Sequence, residues 1–564
     1  MKLRVQLGLL LAILTLVYGN TLLNSFTMDD GLYIFRNPQI TDLSVRELFQ
    51  ANKVSNVFRP VTFATLQFNW ATSGEKPFGY HFFNLSIHMA VTLLLLFVLR
   101  TLLEGEPRGE LVAFASALLF AVHPIHTEAV ASIVGRSELL AAGFLLAAWL
   151  LHLRDRWLLA LLCFVLAVLS KESAVGFLPL ALAGDYARGK FKPSYRYVAI
   201  AAVSLLYVAA LWKIQGGHFG AVSISELDNP LAQLPARLRI LNALRVGWKY
   251  VALQFFPLTL SCDYSFNEIP LYGDLRHTIP AALASAAVFA AWCVSIAKRQ
   301  IGLIVAGAIY FAGFAATSNI LTRTGTIMGE RLAYLPSAGF CLLLAIFWSW
   351  LAARQRSAAI AALAIVVAAF TVRTVVRNGD WRDNPSLYAA AVRAAPNSAK
   401  THFLRGNMYL AENQFDLARG EYQNALGIYA DFPDAIEAMG LLESRTGNQP
   451  AAVASFEKAL RMSGRNNIDY DYMAVNLAAA LLQAGRAGEA LLVLDREIAE
   501  APRYPRAWSN RAVVHYQRGE LAAARNDAEC ALRLDAQSSQ ALGVLKKLNA
   551  MTRFGDIPPT RAAE

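Results

Sequence analysis

The chain has 564 residues, 56% of them hydrophobic and only 16% charged, a balance that excludes a simple cytosolic enzyme. Basic residues outnumber acidic ones by 52 to 41, but from Asp380 onward the counts are 21 and 22, which leaves 31 and 19 in the first two thirds. A positive excess confined to apolar sequence belongs to membrane flanks or anionic-ligand sites, so nucleic acid is excluded as a partner.

Apolar runs long enough to approach a bilayer crossing recur up to about Val376. They cover 5–23, 82–103, 111–125, 138–152, 157–170, 172–184, 195–212, 279–297, 301–321, 333–352 and 358–376, which predicts about eleven spans. The first follows Lys2 and Arg4 and carries no small-x-small cleavage site, so it reads as a retained span rather than a signal peptide. Basic residues crowd into short connections at Arg100/Arg108, Arg154/Arg156, Arg188/Lys190/Lys192/Arg196, Lys298/Arg299 and Arg354/Arg356. These are the expected cytoplasmic loops, and the N-terminus joins them. The apolar stretch Leu244–Leu260 contains Arg245 and Lys249 and reads as an interfacial or re-entrant helix rather than a span. The long segments 24–80 and 213–278 then lie outside, and an odd span count places the C-terminal part there too. The five cysteines, Cys163, Cys262, Cys293, Cys341 and Cys530, form neither a zinc pattern nor a disulfide framework.

Beyond Val376 the pattern becomes periodic. Gly406, Ala418, Tyr422 and Ala425 recur 34 residues later as Gly440, Ala452, Phe456 and Ala459. A shift of 38 gives Ala478 and Ala490, and a further 34 gives Ala512 and Ala524. This is the tetratricopeptide (TPR) period, preceded by a half repeat, Asp383–Pro396, for about 4.5 repeats in all. The predicted fold is all-α: a polytopic transmembrane domain over 1–378, a TPR solenoid over 379–550 and a tail over 551–564.

Chemistry-bearing residues gather at span edges. Asp29 and Asp30 follow the first span by about ten residues, and adjacent carboxylates at a membrane surface raise one another's pKa toward that of a general base. On spacing alone, a helix cap and solvated flank explains them more readily. His123, His126 and Glu128 are spaced i, i+3, i+5 with Pro124 between them, which does not place all three on one helical face and disfavours a metal site. Lys171 and Glu172 are able to pair with each other. On the expected topology, however, Lys171 shares the outer face with Arg59, Arg136 and Arg331, where a set of cations suits a phosphate. Snorkelling anchors are the plainer account of any one of them.

The ordered series DDGLYIFRNP, FRPVTFATLQFNW, GYHFFNLSIHM, HPIHTEAVASIVGRSELL, SKESAVGFLPL, GERLAYLPSAGF and DWRDNPSLYAAAVRAAPNSAK resembles the transmembrane and tetratricopeptide-repeat (TMTC) family. The chain looks like a bacterial relative of those O-mannosyltransferases of the GT-C class. The resemblance implies a multi-pass enzyme of the bacterial inner membrane, with a cytoplasmic N-terminus and extracytoplasmic repeats. It implies a polyprenyl-phosphate sugar as donor, mannose or similar, and inverting transfer to a polypeptide hydroxyl. It also implies that Asp29 or Asp30 is the catalytic base, with Lys171, Arg136, Arg331 and Arg59 around the donor phosphate. Glu330, Tyr334 and Glu128 are then expected beside the site, and His81, His123 and His126 as lining of the donor pocket. No metal ligand is expected, and the resemblance leaves a divalent metal open. Near-neutral TPRs would recruit the polypeptide acceptor, while membrane lipids surround the spans. Two other readings remain: a non-catalytic scaffold for envelope or pilus assembly, and a GT-C transferase that decorates lipid or polysaccharide.

Overall fold

The computed structural model describes residues 2–35, 37–50, 57–215, 224–464 and 470–553. Residues 554–564 of the expected tail therefore lie outside it. Every regular element among the described residues is helical, so the all-α expectation holds. The chain divides into two compact units, Met1–Thr401 and His402–Glu564, and the half repeat 383–396 lies in the first.

In the first unit, seven helices are long and apolar enough to cross a membrane: Leu3–Leu23, Pro77–Leu102, Arg136–Leu153, Tyr195–Ile214, Leu275–Ala297, Pro336–Arg354 and Arg356–Asp380. An eighth is formed if Gly109–Val122 and Pro124–Ala131, which meet at 52°, count as one broken span. Proline has no N–H to donate and crowds the preceding turn, which accounts for the break at His123–Pro124. Three of the expected spans are shorter, and the one expected over 172–184 is the 11-residue helix Phe177–Ala187. Trp157–Ser170 has 14 residues and Ile301–Ala315 has 15, or roughly 22 Å of helix against a hydrocarbon core of about 30 Å.

Two of the long helices leave their apolar side chains uncovered. Only 11% of the apolar window of Tyr195–Ile214 and 6% of that of Leu275–Ala297 is buried within the protein. Val198, Leu205, Leu206 and Leu283 are exposed. In water such surface would drive aggregation, whereas lipid is its natural solvent. These helices face the acyl chains.

The segment read as interfacial forms the helix Ala236–Phe255, which is not among the candidate spans. Its charges are engaged by the segment that follows. Arg245 donates to the Pro270 carbonyl (3.0 Å) and stacks 4.1 Å over Tyr272, and Lys249 pairs with Glu268 at 3.6 Å.

The two ends of the bundle differ in composition. Arg100 donates to Gln6 near the start of the first helix, Arg108 to the Ser349 carbonyl, and Arg196 to Asp155. The predicted inner connections thus gather where the chain begins. At the other end Ser25 N–H donates to the Arg382 carbonyl and Thr62 to that of Ser170. The acidic pair lies at this second end.

The second unit is built of helical hairpins. A Cβ on Gly406 would sit 2.5 Å from the Tyr422 ring, and one on Gly440 3.1 Å from the Phe456 ring. In the next two hairpins Ala478 and Ala512 replace the glycines, and their counterparts sixteen residues on shrink to Leu494 and Ala528. Small and large residues therefore compensate within each repeat, as close packing requires. Arg511 forms a bidentate pair with buried Asp527 (2.7 and 2.8 Å) and a third bond to Asp495. Replacing Gly406 by Leu is expected to push Tyr422 out and to destabilise the second unit by about 1–3 kcal/mol. Thermal unfolding of the full chain followed by circular dichroism measures this, and an unaltered transition would contradict the packing described here.

Candidate active site

The acidic pair occupies a constrained turn. Met28 has a left-handed backbone (φ 48°) and donates its N–H to Asn384 Oδ1 at 2.9 Å. The chain then enters a π-helical turn, Gly31–Phe35. A non-glycine residue at positive φ costs about 1–3 kcal/mol, and such strain clusters at functional sites, as do π-turns.

The two carboxylates differ in surroundings. Asp30 is fully buried; Oδ2 accepts the Thr27 N–H at 2.9 Å and Oδ1 the Val134 N–H at 3.2 Å. It ties the acidic turn to the 132–135 turn. Burial pushes its carboxyl up to about 7, against the pull of those two bonds. Asp29 is only half-buried, and among the described residues its carboxylate has neither a hydrogen bond nor an ion pair. Of the two, Asp29 is the carboxylate that reaches the surface.

Four cations were expected nearby, and three of them sit in ion pairs around one mouth. Arg59 grips Glu172 with two bonds, of 3.0 and 2.6 Å. Lys171 pairs with Glu138, and Arg331 pairs with Glu128 through both its backbone N–H and its guanidinium. Glu128 chiefly, then Asp29 and Glu138, holds Arg331 firmly protonated despite its burial. Burial alone would raise Glu172, but the Arg59 charge overrides it and brings the carboxyl down to about 2.

Arg136 is placed differently. It is fully buried, and its guanidinium donates to Asn84 Oδ1 (2.8 Å) and to the carbonyls of Thr65 (3.1 Å) and Tyr80 (3.0 Å). The preceding Gly135 permits this, because a Cβ there would lie 2.5 Å from the Ala129 carbonyl oxygen. Arg136 braces the start of its helix against the Pro77–Leu102 helix.

A small, open cleft lies beside Lys171 and Arg331, between Glu138, Ser173 and Leu332. Glu138, Ser173 and Thr317 supply its polar wall, and Ala141, Leu145 and Pro336 are among its apolar lining. The cleft is thus of mixed character, with charged groups beside a partly apolar wall.

The sequence is similar to those of known proteins. A Caenorhabditis elegans protein O-mannosyl-transferase, F38B6.6, is 29% identical over 438 residues, 75% of this chain and 62% of its own length. The human protein O-mannosyl-transferase TMTC3 is 27% identical over 76% of this chain and 52% of its own, and mouse TMTC4 is 29% identical over 67% and 60%. The chain is a relative of the TMTC family. It spans between half and two thirds of the length of these relatives. No protein-family model matches the sequence. Among solved structures, YrrB, a TPR protein with an unusual peptide-binding site, is 18% identical over 30% of this chain and 93% of its own, with a TM-score of 0.24.

The remaining candidates of this TMTC relative are not part of the cleft lining. His123 and His126 are fully buried with ring centroids 5.6 Å apart. His123 Nε2 meets the Gln254 carbonyl at 3.0 Å and His126 Nε2 meets Ser337 Oγ at 2.6 Å. Tyr334 is hydrogen-bonded to His88 Nδ1 at 2.6 Å. His81 is buried on the same helix as Asn84, which holds Arg136. Glu330 is fully buried and accepts from the Ser261 N–H (2.6 Å) and the Tyr264 hydroxyl (2.7 Å), with Arg377 3.7 Å away. Burial raises its carboxyl to about 7 although Arg377 opposes the shift. Among the described residues no three His, Cys, Asp or Glu side chains converge as for a metal ion.

Sequence reasoning missed the partners. Lys171 does not pair with Glu172, because Lys171 is extended (φ −160°, ψ 141°) and consecutive side chains of extended backbone point apart. Glu138 lies within the quoted GRSELL run, but nothing in its spacing marked it. His88 sits inside an apolar run and Arg377 at the end of one, and the rule that an ionisable residue at a span deserves a role was the one signal able to find them.

Proposed function

We propose that the chain is an integral-membrane glycosyltransferase of the GT-C type. It moves a sugar, mannose or similar, from a polyprenyl-phosphate carrier to a Ser or Thr hydroxyl of a polypeptide. The carrying observation is the contrast at the acidic turn: among the described residues the Asp29 carboxylate has no hydrogen-bonded or ion-paired partner, and its charge reaches Arg331, one of three paired cations with Arg59 and Lys171. The relatives' shared name, protein O-mannosyl-transferase, agrees with it.

The chemistry follows from the parts. A hydroxyl is a poor nucleophile, so Asp29 accepts its proton as the oxygen attacks the anomeric carbon. The bond from that carbon to the phosphate oxygen breaks on the opposite face, which inverts the configuration. The electron pair leaves on the lipid phosphate, and the cations stabilise the charge that develops there. Asp30 fixes the turn that aims Asp29. The sugar and the acceptor peptide meet between base and cations, and the carrier's phosphate approaches them along the small cleft beside Glu138.

This reading sets the topology. The basic connections lie in the cytoplasm, and the acidic turn faces outward across the inner membrane of a bacterium. Eleven crossings, counting the broken pair and the three shorter helices Trp157–Ser170, Phe177–Ala187 and Ile301–Ala315, bring the TPRs to that same side, where their stacked hairpins offer a surface for extended polypeptide.

The test is sugar transfer by the full chain in liposomes, offered a serine-rich peptide and mannose either on a polyprenyl phosphate or on a nucleotide. Transfer from the lipid-linked sugar alone is expected. Transfer only from the nucleotide, or none from any lipid-linked sugar, would overturn the proposal.

A further inference from the structure

The three cations at the mouth are not equally committed. Arg331 is clamped to Glu128, a carboxylate only 1% exposed that takes both its backbone N–H and its guanidinium. Arg59 is clamped by two bonds to Glu172. Lys171 has one carboxylate, Glu138, and that residue also forms the polar wall of the cleft. Glu138 stands within electrostatic reach of all three cations, since its charge bears on Arg59, Lys171 and Arg331 alike. Among the described residues no other carboxylate lines the cleft.

We propose that Glu138 is a positioning residue that occupies, in the empty enzyme, the place of the donor's phosphate. This rests on the function proposed above. When the carrier enters the cleft, its phosphate takes over Lys171 Nζ from Glu138. When the lipid phosphate is left after transfer, Glu138 competes for Lys171 and helps to expel it. A buried lysine without a counter-ion is costly, so the internal carboxylate keeps Lys171 charged between turnovers. The lysine suits the exchange better than an arginine, because an ammonium has no fixed fork and turns readily from one oxygen to another. Arg59 and Arg331, held bidentately or from two sides, supply the fixed part of the anion site.

The sign of the effect separates this from a structural salt bridge. A bridge that merely holds the fold would weaken donor binding when broken, through disorder. A resident competitor would strengthen it, because the phosphate no longer displaces anything.

The experiment measures donor KM, kcat and product inhibition by polyprenyl phosphate for the full chain in liposomes. Glu138→Gln is expected to lower the donor KM about five- to tenfold. It should also lower the inhibition constant of the lipid phosphate by a similar factor and reduce kcat, because product leaves slowly. Glu138→Asp keeps the charge but draws it back from Lys171, so its values are expected to fall between the two, and it serves if the glutamine variant does not fold. A donor KM that rises or stays constant in either variant overturns the inference. If the wild-type chain transfers no lipid-linked sugar at all, the proposed function fails instead, and the two failures are told apart by that first measurement.

Discussion

Replacing Asp29 by Asn removes sugar transfer, by a factor of about 10²–10⁴, while expression, the helical circular dichroism signal and the unfolding temperature stay close to those of the wild type. The reason lies in the asymmetry of the acidic pair. Asp29 has no bond to lose among the described residues, so the amide substitutes for it without structural cost, yet it is unable to accept the hydroxyl proton. Asp30→Asn behaves differently. An amide keeps one acceptor oxygen where Asp30 uses two, for Thr27 and Val134, so its NH2 meets an N–H head-on and the acidic turn loosens. Both variants lose transfer, but Asp30→Asn also loses stability. Assay and thermal unfolding of the pair together separate base from brace, and undiminished transfer by Asp29→Asn would remove the enzyme reading of this turn.

The second large effect is on stability. Arg377 and Glu330 are both fully buried, and Arg377 also donates to Asp380 at 3.1 Å. Removing one member of a buried pair leaves the other without compensation, at a cost of about 3–5 kcal/mol. Arg377→Met is expected to lower the unfolding temperature accordingly, and a second change, Glu330→Gln, to restore part of it. The pH dependence follows from Glu330 and Asp30. Burial first, in each case, raises their folded carboxyls to about 7, above the unfolded values near 4. Their contribution is therefore fully present below about pH 4 and is lost as the pH rises through 7. In Arg377→Met the main charge opposing that rise is gone, so Glu330 stays protonated to higher pH and the loss shifts alkaline. A stability profile of the variant that does not move toward alkaline pH would contradict the Arg377–Glu330 coupling.

The distribution of apolar residues by itself determined the class of this protein. Long runs without charge and basic residues in short connections admit few solutions other than a helical bundle in a bilayer, because an unpaired backbone group in hydrocarbon is too costly. The 34-residue spacing of Gly406, Gly440, Ala478 and Ala512, with one longer step, was equally legible, since each hairpin repeats the same close contact. The acidic turn and the cations Arg59, Lys171 and Arg331 were also visible, as ionisable residues at the edges of apolar runs. Only the tertiary structure decided what each of them faces. Asp29 and Asp30 are neighbours in sequence, but the fold turns one to backbone donors on a distant turn and leaves the other open. Arg136 and Lys171 read alike as span-edge cations, yet one donates to Asn84 and two carbonyls while the other meets Glu138 at the cleft. Such pairings join residues 30 to 250 positions apart. A local pattern carries no information about them, because hydrophobic periodicity fixes which side of a helix is buried but not which polar group waits on the helix packed against it.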